Sequence, residues 1–487
     1  MKQLFFVSSP FQLVTLVAAI EAELVPAAEE RIVVIADNRI AFEVGEGFSA
    51  SPMSQLLLAR FDRSVLLNDA LRPYSCGQWS PREGDLLILE RAFRSLWDLG
   101  DAELELYVES IQSPPATSFA RIFRTAPVTV YADGLMVYGP TRNAIGASIR
   151  QRLDRLLYLD LIPGLRPALL EETGTPAASI DAQRFAAVLR DLLPRLDPRT
   201  SETTESTLDP GAEASADTAD AELGRAAAAA GERPALIVGQ YLSDIGLITV
   251  EEESDLYFRM VELARARGFE RILFKRHPAA SYAAESAVLT RCAEAGIDFE
   301  ILDSPELVEI TALRRAPGLV IGCFSTALMT LRTAFGMDVV SLGTAQMLEA
   351  VAPYENSNRV PLVLTHRLLD TTAASASHRP EELRGLLDAV AYCMQPELRA
   401  DLRERAIAFL TPTPLETIRV YFKRRRLTKL DLPGRLPPRA PARGATARAR
   451  SLVRRARRKV SAFGGDLGAR IGAGRRGQDR SGPPRNR

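Results

Sequence analysis

A histidine and two cations stand together directly after an apolar run of the sequence. Residues 271–274 predict a β-strand, and Lys275-Arg276-His277-Pro278 follows it. Open α/β sheets bind ligands at the carboxyl ends of their strands, so this segment lies where a nucleotide would bind. Proline keeps the preceding residue extended, and an imidazolium there can offset charge on a leaving phosphate. The two cations suit an anionic ligand, although cations beside a strand are more often simply solvated.

A pair of hydroxyl residues, Ser325-Thr326, joins the predicted strand 319–321 to the predicted helix Leu328–Phe335. Both lie where helix N-caps occur, and capping is the commoner role of such residues. The same position also presents hydroxyls and free backbone N–H groups to an anion. The pair therefore predicts either a cap or a phosphate site.

A third motif, Tyr131-Ala132-Asp133-Gly134, ends a predicted strand in a carboxylate followed by glycine. At a strand end, Asp133 would lie on the rim of a cleft and could deprotonate an acceptor hydroxyl. An ordinary Asp-Gly turn is the alternative, and by itself the commoner one.

In this order, the three motifs resemble those of bacterial sialyltransferases, most closely the alpha-2,8-polysialyltransferase family. That family has an acidic-acidic-Gly motif in its first domain, then His-Pro and Ser-Ser/Thr motifs in its second. Ser9-Pro10-Phe11-Gln12 also looks like its N-terminal Ser-Pro-x-Gln segment. The likeness spans roughly residues 1–370 and omits the linker and the tail described below.

The resemblance implies a GT-B fold and metal-independent, inverting transfer of sialic acid from CMP-sialic acid to a glycan. It implies that Asp133 is the general base, that His277 binds phosphate or acts as an acid, and that Ser325 and Thr326 bind phosphate. No cofactor and no metal ion are expected, since no cluster of metal-ligating residues is visible. One departure is Ala132, which occupies the first acidic position of the family's motif and puts acceptor preference in doubt.

Two other functions compete with sialyl transfer. Enzymes that transfer glycerophosphate from CDP-glycerol also resemble GT-B proteins and use a Lys-x-His-Pro segment and paired serines. They usually place an aspartate soon after the serines, whereas residues 327–331 are apolar and neutral here. A non-catalytic binding protein of the same fold is the second alternative, prompted by Ala132.

These motifs need strand ends to position them, and the sequence alternates short β-rich runs with helical periodicity throughout. This alternation is typical of a doubly wound parallel sheet, and it occurs twice, as in a GT-B protein. The first half predicts strands at residues 3–7, 31–36, 64–67, 85–89 and 128–131 and helices at 11–24, 95–110, 144–159 and 181–193. The second predicts strands at 235–238, 271–274, 298–302, 318–321 and 339–341, with helices that include 254–267, 283–295, 380–393 and 396–410.

Composition predicts four segments. An N-terminal acceptor-side domain (1–195) precedes a disordered acidic linker (196–233), because residues 197–222 hold eight acidic residues and a single large aliphatic. A nucleotide-sugar-binding domain (234–420) and a basic, largely disordered tail (421–487) follow. The tail holds 21 Lys and Arg against 3 Asp and Glu, so its charge of +18 balances −18 in the rest of the chain.

Within the tail, Ala447–Phe463 has the spacing of a basic amphipathic helix, which predicts binding to an anionic membrane surface. Nucleic acid is a less suitable partner because the body is acidic and the tail lacks stacking aromatics. No apolar run approaches the ~20 residues of a membrane span, and the N-terminus lacks the features of a signal peptide. The expected location is the cytoplasm, with the enzyme peripheral on the inner membrane.

The remaining reactive residue types receive ordinary structural interpretations. The four cysteines are expected to be buried and unpaired. His366 and His378 are expected to be exposed, and Glu306 and Glu309 to be a solvated helix face rather than ribose ligands. Asp37-Asn38 is a possible acceptor contact.

Overall fold

Two separate parallel β-sheets form the framework of the protein. The computed structural model describes residues 1–38, 47–196, 233–371 and 379–437. One sheet belongs to the N-terminal half of the chain and the other to the C-terminal half. Each sheet has helices between its strands, so the α/β class predicted from the alternating pattern is confirmed.

The N-terminal sheet has seven strands in the order β3-β2-β1-β4-β5-β6-β7, all of them parallel. The strands are β1 Lys2–Val7, β2 Glu30–Ile35, β3 Arg63–Leu66, β4 Leu104–Val108, β5 Val128–Ala132, β6 Leu153–Asp160 and β7 Ala177–Asp181. The helices are α1 Pro10–Glu21, α2 Pro52–Leu58, α3 Leu67–Leu71, α4 Leu86–Leu96, α5 Ala116–Ile122, α6 Ala147–Arg150 and α7 Ala182–Arg195. The central strands β1 and β4 are almost wholly buried, as expected for a parallel sheet covered on both faces.

The C-terminal sheet has five parallel strands in the order β10-β9-β8-β11-β12. The strands are β8 Ala235–Val238, β9 Arg271–Lys275, β10 Asp298–Leu302, β11 Leu319–Gly322 and β12 Val339–Ser341. The helices are α8 Val250–Ala266, α9 Ala283–Glu294, α10 Val308–Arg315, α11 Thr326–Phe335, α12 Thr344–Ala350, α13 Arg359–Leu369, α14 Pro380–Met394, α15 Arg403–Leu410, α16 Leu415–Tyr421 and α17 Arg424–Lys429. Each predicted strand of this half is present to within one residue.

Helix α7 joins the two halves, because it packs against α1 on one side and α11 on the other. Phe185 of α7 lies against Phe11, with ring centroids 4.8 Å apart. The Arg190 guanidinium lies over the Phe335 ring at 5.5 Å. Helix α14 adds an ion pair across the chain, in which Arg384 donates to Glu171 at 2.8 Å. The two sheets therefore belong to one compact unit, Met1–Arg435.

Three predicted elements of the N-terminal half are wrong. The predicted strand 85–89 starts helix α4, where Leu87 and Ile88 are 58% and 70% exposed. The predicted helices 95–110 and 144–159 contain strands β4 and β6. Short apolar runs do not distinguish strand from helix, and these two pair with strands that lie far away in the sequence.

The folded elements continue beyond residue 420, where Leu427 and Leu432 are buried. The four cysteines are buried and unpaired, as predicted. Most of the predicted linker and the predicted tail helix 447–463 lie outside the described residues. Among the helices that the structure describes, none combines the length and apolar character needed to cross a bilayer.

Candidate functional site

One cleft of about 410 Å³, here called the main cleft, is lined by all seven predicted site residues. The N-terminal half contributes Asp133 together with the Ser9-Pro10-Phe11 segment. The C-terminal half contributes residues 275–278 after β9, residues 305–309 and residues 325–327. A larger cavity of about 920 Å³ lies beside α14 and α15 and contains none of the predicted residues.

Strand polarity explains why these segments meet. In a parallel sheet all the carboxyl ends lie at one edge, and the polar segments follow β1, β5, β9 and β11 at those edges. Gly134 marks the close approach of the two halves. A Cβ atom at this position would lie 3.3 Å from Oγ1 of Thr326, so a glycine permits the contact.

His277 is partly buried against the ring of Tyr241, at a centroid distance of 4.4 Å. Its Nδ1 accepts a hydrogen bond from the Ala279 backbone N–H at 3.1 Å. Burial, with a further contribution from the charges of Lys275 and Arg276, lowers the pKa of His277 to about 4. The resting side chain is therefore a neutral imidazole with its proton on Nε2, rather than the expected imidazolium. It can donate one N–H to a ligand without adding charge.

Lys275 and Arg276 are both buried, which differs from the solvated cations that the sequence also allowed. The Lys275 ammonium donates to the Ser304 backbone carbonyl, and burial lowers its pKa. Arg276 is paired with the buried Glu285 at 2.6 Å and lies over the Tyr282 ring at 3.5 Å. Its charge is therefore compensated within the loop that follows β9.

Lys275 differs from Arg276 because, among the described residues, no carboxylate forms an ion pair with its ammonium. It is only 3% exposed and still lines the main cleft. The charges of Glu306 and Asp303 act on Lys275 without forming an ion pair, and an anionic ligand would compensate its buried charge further. Lys275 is thus the better placed of the two for a ligand phosphate.

Ser325 is the N-cap of α11, and its hydroxyl accepts from the Ala327 N–H at 3.3 Å. The Gln240 side chain orders the preceding turn by accepting from the Phe324 N–H at 3.0 Å. The cap and the anion site are compatible, since the first turn of α11 lines the main cleft and carries the positive end of the helix dipole.

Asp133 directly follows β5, and desolvation raises the pKa of its carboxyl. A second carboxyl, Glu109, directly follows the neighbouring strand β4 and was missed by the sequence reasoning. Both line a second cavity of about 230 Å³, here called the side cavity. The strand-end rule that identified Asp133 would also have found Glu109, but residues 95–110 were predicted to be a helix.

Glu309 is 1% exposed and lines the main cleft, so its predicted place on a solvated helix face is wrong. Its Oε1 has no hydrogen-bond partner among the described residues, and desolvation raises its pKa to about 7. Glu306 is instead paired with Arg314 at 2.7 Å. Because Glu309 lines the cleft, a hydroxyl group of a ligand is suited to supply the hydrogen bond that this oxygen lacks among the described residues.

Three other residues considered from the sequence lie elsewhere. His366 is buried rather than exposed, within 3.1 Å of the Thr344 hydroxyl and away from the main cleft. Asn38 lines a small cavity that also contains Glu109, whereas Asp37 is buried beside Asn68. His378 lies outside the described residues.

Comparison with known proteins gives one family match and several structural likenesses. A family model described as alpha-2,8-polysialyltransferase matches residues 3–344. None of the curated proteins matches the sequence.

Among solved structures, the GT-B domain of a sialyltransferase from Photobacterium damselae is 12% identical, with 76% of this chain and 98% of that chain covered and a TM-score of 0.39. MurG from Acinetobacter baumannii is also 12% identical, with 83% of this chain and 94% of that chain covered and a TM-score of 0.36. A glycosyltransferase from Rickettsia africae is 10% identical, with 88% of this chain and 96% of that chain covered and a TM-score of 0.38. The family model, which matches residues 3–344, is sufficient to identify the family of this chain.

The protonation state of His277 can be tested by NMR, because the chain has only three histidines. The His277 ring signals, assigned with His277→Gln, should titrate near pH 4 in the free protein. The midpoint should rise when CMP binds, since phosphate favours the protonated form.

The same shift gives a stability prediction with a definite sign. The unfolded chain binds this proton at about pH 6.5, so the free energy of unfolding should fall as pH drops from about 6.5 to 4. His277→Gln should reduce that dependence. A His277 midpoint near 6.5 in the free protein would contradict both expectations.

Proposed function

We propose that this chain, which belongs to the alpha-2,8-polysialyltransferase family, transfers sialic acid from CMP-sialic acid to a glycan acceptor, with inversion and without a metal ion. Members of this family are glycosyltransferases. The observation that carries the proposal is that one cleft is lined by a carboxyl from one half and by Lys275, His277 and the first turn of α11 from the other. Binding both substrates between two Rossmann-like halves is what a transfer reaction requires.

On the donor side, the phosphate of CMP-sialic acid would lie at the first turn of α11. Ser325, Thr326 and the backbone N–H groups there donate to its oxygens. The Nε2–H of His277 and the ammonium of Lys275 add a hydrogen bond and a positive charge. These groups would stabilise the charge that develops on the phosphate as CMP leaves.

On the acceptor side, the acceptor hydroxyl would enter beside Asp133. Its oxygen attacks the anomeric carbon from the face opposite the phosphate, and its proton passes to the Asp133 carboxylate. The bond from the anomeric carbon to the phosphate oxygen breaks, and CMP departs with the bonding electrons. A single displacement of this kind inverts the anomeric configuration. The raised pKa of Asp133 suits a base that is ionised at neutral pH but accepts a proton readily.

Glu309 would bind the nucleoside part of the donor. Its Oε1, which has no hydrogen-bond partner among the described residues, can accept a hydrogen bond from a ribose hydroxyl. Binding of CMP-sialic acid would then place a phosphate anion beside Lys275 and a hydroxyl hydrogen-bond donor beside Glu309.

The general-base role predicts the effect of Asp133→Asn, which keeps the shape of the side chain but removes its basicity. Turnover of CMP-sialic acid, measured as CMP release, should fall by about 10²–10⁴-fold. CMP affinity, measured by calorimetry, should change little. Asp160→Asn is a matched control, because Asp160 ends the next strand, β6, and does not line the main cleft.

Near-normal turnover by Asp133→Asn at saturating acceptor would exclude Asp133 as the base. Offering CDP-glycerol beside CMP-sialic acid in the same assay distinguishes sialyl transfer from glycerophosphate transfer. Release of CMP from neither donor, over a panel of sialylated and galactose-ended acceptors, would favour a binding protein without catalytic activity.

The proposed role of Glu309 predicts opposite effects on binding and stability. Glu309→Met removes a buried carboxyl without emptying its space, so the melting temperature should stay the same or rise. The Kd for CMP should increase about tenfold, which corresponds to about 1.4 kcal/mol. Glu294→Gln serves as the control, because Glu294 is exposed at the end of α9 and does not line the main cleft. Unchanged CMP affinity in Glu309→Met would show that Glu309 does not contact the donor.

We also propose, from the sequence of residues 447–463, that the basic tail tethers the enzyme to an anionic membrane. Full-length protein should sediment with phosphatidylglycerol vesicles at low salt and be released at high salt. A variant with the seven cations of this segment changed to glutamine should lose most of that binding. Equal binding by the two proteins, or binding by neither, would exclude the tether.

A further inference from the structure

We propose that Glu109 and Asp133 form a carboxyl pair that shares one proton, in which protonated Glu109 positions ionised Asp133 toward the acceptor hydroxyl. This inference rests on the proposed function of Asp133 as the base. It adds a positioning residue from a different strand, outside the three motifs that the sequence identified.

The position of the two carboxyls follows from strand pairing. Strands β4 and β5 are parallel neighbours, with Val108 opposite Val130. Glu109 is the first residue after β4, and Asp133 is the first after β5, so both side chains begin at the same edge of the sheet. Both line the side cavity, and Asp133 lines the main cleft as well. Glu109 is thus placed behind the base, on the side away from the donor site.

Among the described residues, neither Glu109 nor Asp133 forms an ion pair. Arg142 lines the side cavity, and its charge opposes the rise in the pKa of Glu109. Burial raises the pKa of Tyr131, with further contributions from the charges of Glu109 and Asp133, and its hydroxyl donates to the Phe6 backbone carbonyl at 2.6 Å. The other charged or titratable groups that line the main cleft are Lys275, Arg276, His277, Glu306 and Glu309.

Two neighbouring carboxyls in a poorly solvated site do not readily ionise together, because each charge disfavours the other. Desolvation raises the pKa of both groups here, and the charge of Asp133 raises that of Glu109 further. As pH rises, the pair therefore loses its two protons in separate steps, and we assign the first loss to Asp133 and the second to Glu109. Between these two steps the pair carries one proton, and the titration belongs to the pair as a unit.

In this state Glu109 donates its O–H toward the Asp133 carboxylate and leaves the other oxygen of Asp133 for the acceptor. During transfer, the acceptor proton moves to Asp133, the new glycosidic bond forms and CMP leaves. Glu109 keeps its own proton throughout. After product release, Asp133 returns the acquired proton to solvent. Once Glu109 has ionised at high pH, it repels Asp133 and no longer holds it.

Infrared difference spectroscopy of full-length protein labelled with ¹³C-glutamate tests the shared proton without requiring turnover. The wild type should show a protonated glutamate carbonyl band at neutral pH that is absent in Glu109→Gln. In Asp133→Asn this band should disappear at a lower pH than in the wild type, because the neighbouring charge is gone. Glu105→Gln is the matched control: Glu105 lies in β4, which Glu109 follows, and it accepts from Gln3 at 3.0 Å, outside both cavities.

Turnover of CMP-sialic acid against pH tests the positioning role. Wild-type kcat should fall on the alkaline side as Glu109 ionises. Glu109→Gln, which imitates the protonated form, should keep kcat within about threefold at pH 7 and lose the alkaline fall. Glu109→Ala should lower kcat at least tenfold with little change in KM for the donor. A merely structural role would lower activity in both variants and leave the pH profile unchanged.

Two results would overturn the pair. One is the absence of a Glu109 carbonyl band at neutral pH, and the other is a band whose titration is the same in Asp133→Asn as in the wild type. The spectroscopic result separates this inference from the proposed function. A shared proton in a protein that turns over no sialic acid donor would refute the catalytic assignment of the pair, whereas turnover without a shared proton would refute the pair alone.

Discussion

Parallel strands have one polarity, and the site depends on this constraint more than on any single contact. Every strand of both sheets runs in the same direction as its neighbours, so each sheet collects its carboxyl ends at one edge. Helix α7 packs against both α1 and α11 and holds the halves so that the segments following β5 and β11 meet. Gly134, which follows β5, lies so close to Thr326, which follows β11, that a Cβ atom at Gly134 would be 3.3 Å from the Thr326 hydroxyl oxygen.

Burial then decides the charge of the groups that this framework brings together. It makes His277 neutral, lowers the pKa of Lys275 and raises the pKa of Asp133, Glu109 and Glu309. All five shifts disfavour the charged form, as expected where water is partly excluded. Among the residues that the structure describes, Lys275 forms no ion pair and Oε1 of Glu309 receives no hydrogen bond. A ligand that offers both an anion and hydroxyl groups matches this set.

The departure of the chain from its family's acidic motif has a structural counterpart. Ala132 leaves one acidic position of the motif without a carboxyl, and yet a second carboxyl reaches the same cavity from the neighbouring strand, as Glu109. The loss of a carboxyl at position 132 therefore does not by itself favour a non-catalytic protein, because the side cavity still contains the carboxyls of Glu109 and Asp133. Arg142 gives the side cavity a positive group as well.

The sequence by itself determined the α/β class, the strands of the C-terminal half and the three motifs that line the main cleft. These features are local: a strand end followed by Lys-Arg-His-Pro, or by two hydroxyls, is recognisable wherever the strand packs. Tertiary structure alone decided that 104–108 and 153–160 are strands, because their pairing partners lie far away in sequence. It also decided that Glu309 is buried, that His277 is neutral and that Glu109 and Asp133 line one cavity. Burial and charge coupling depend on what surrounds a side chain in space, and a linear pattern does not contain that information.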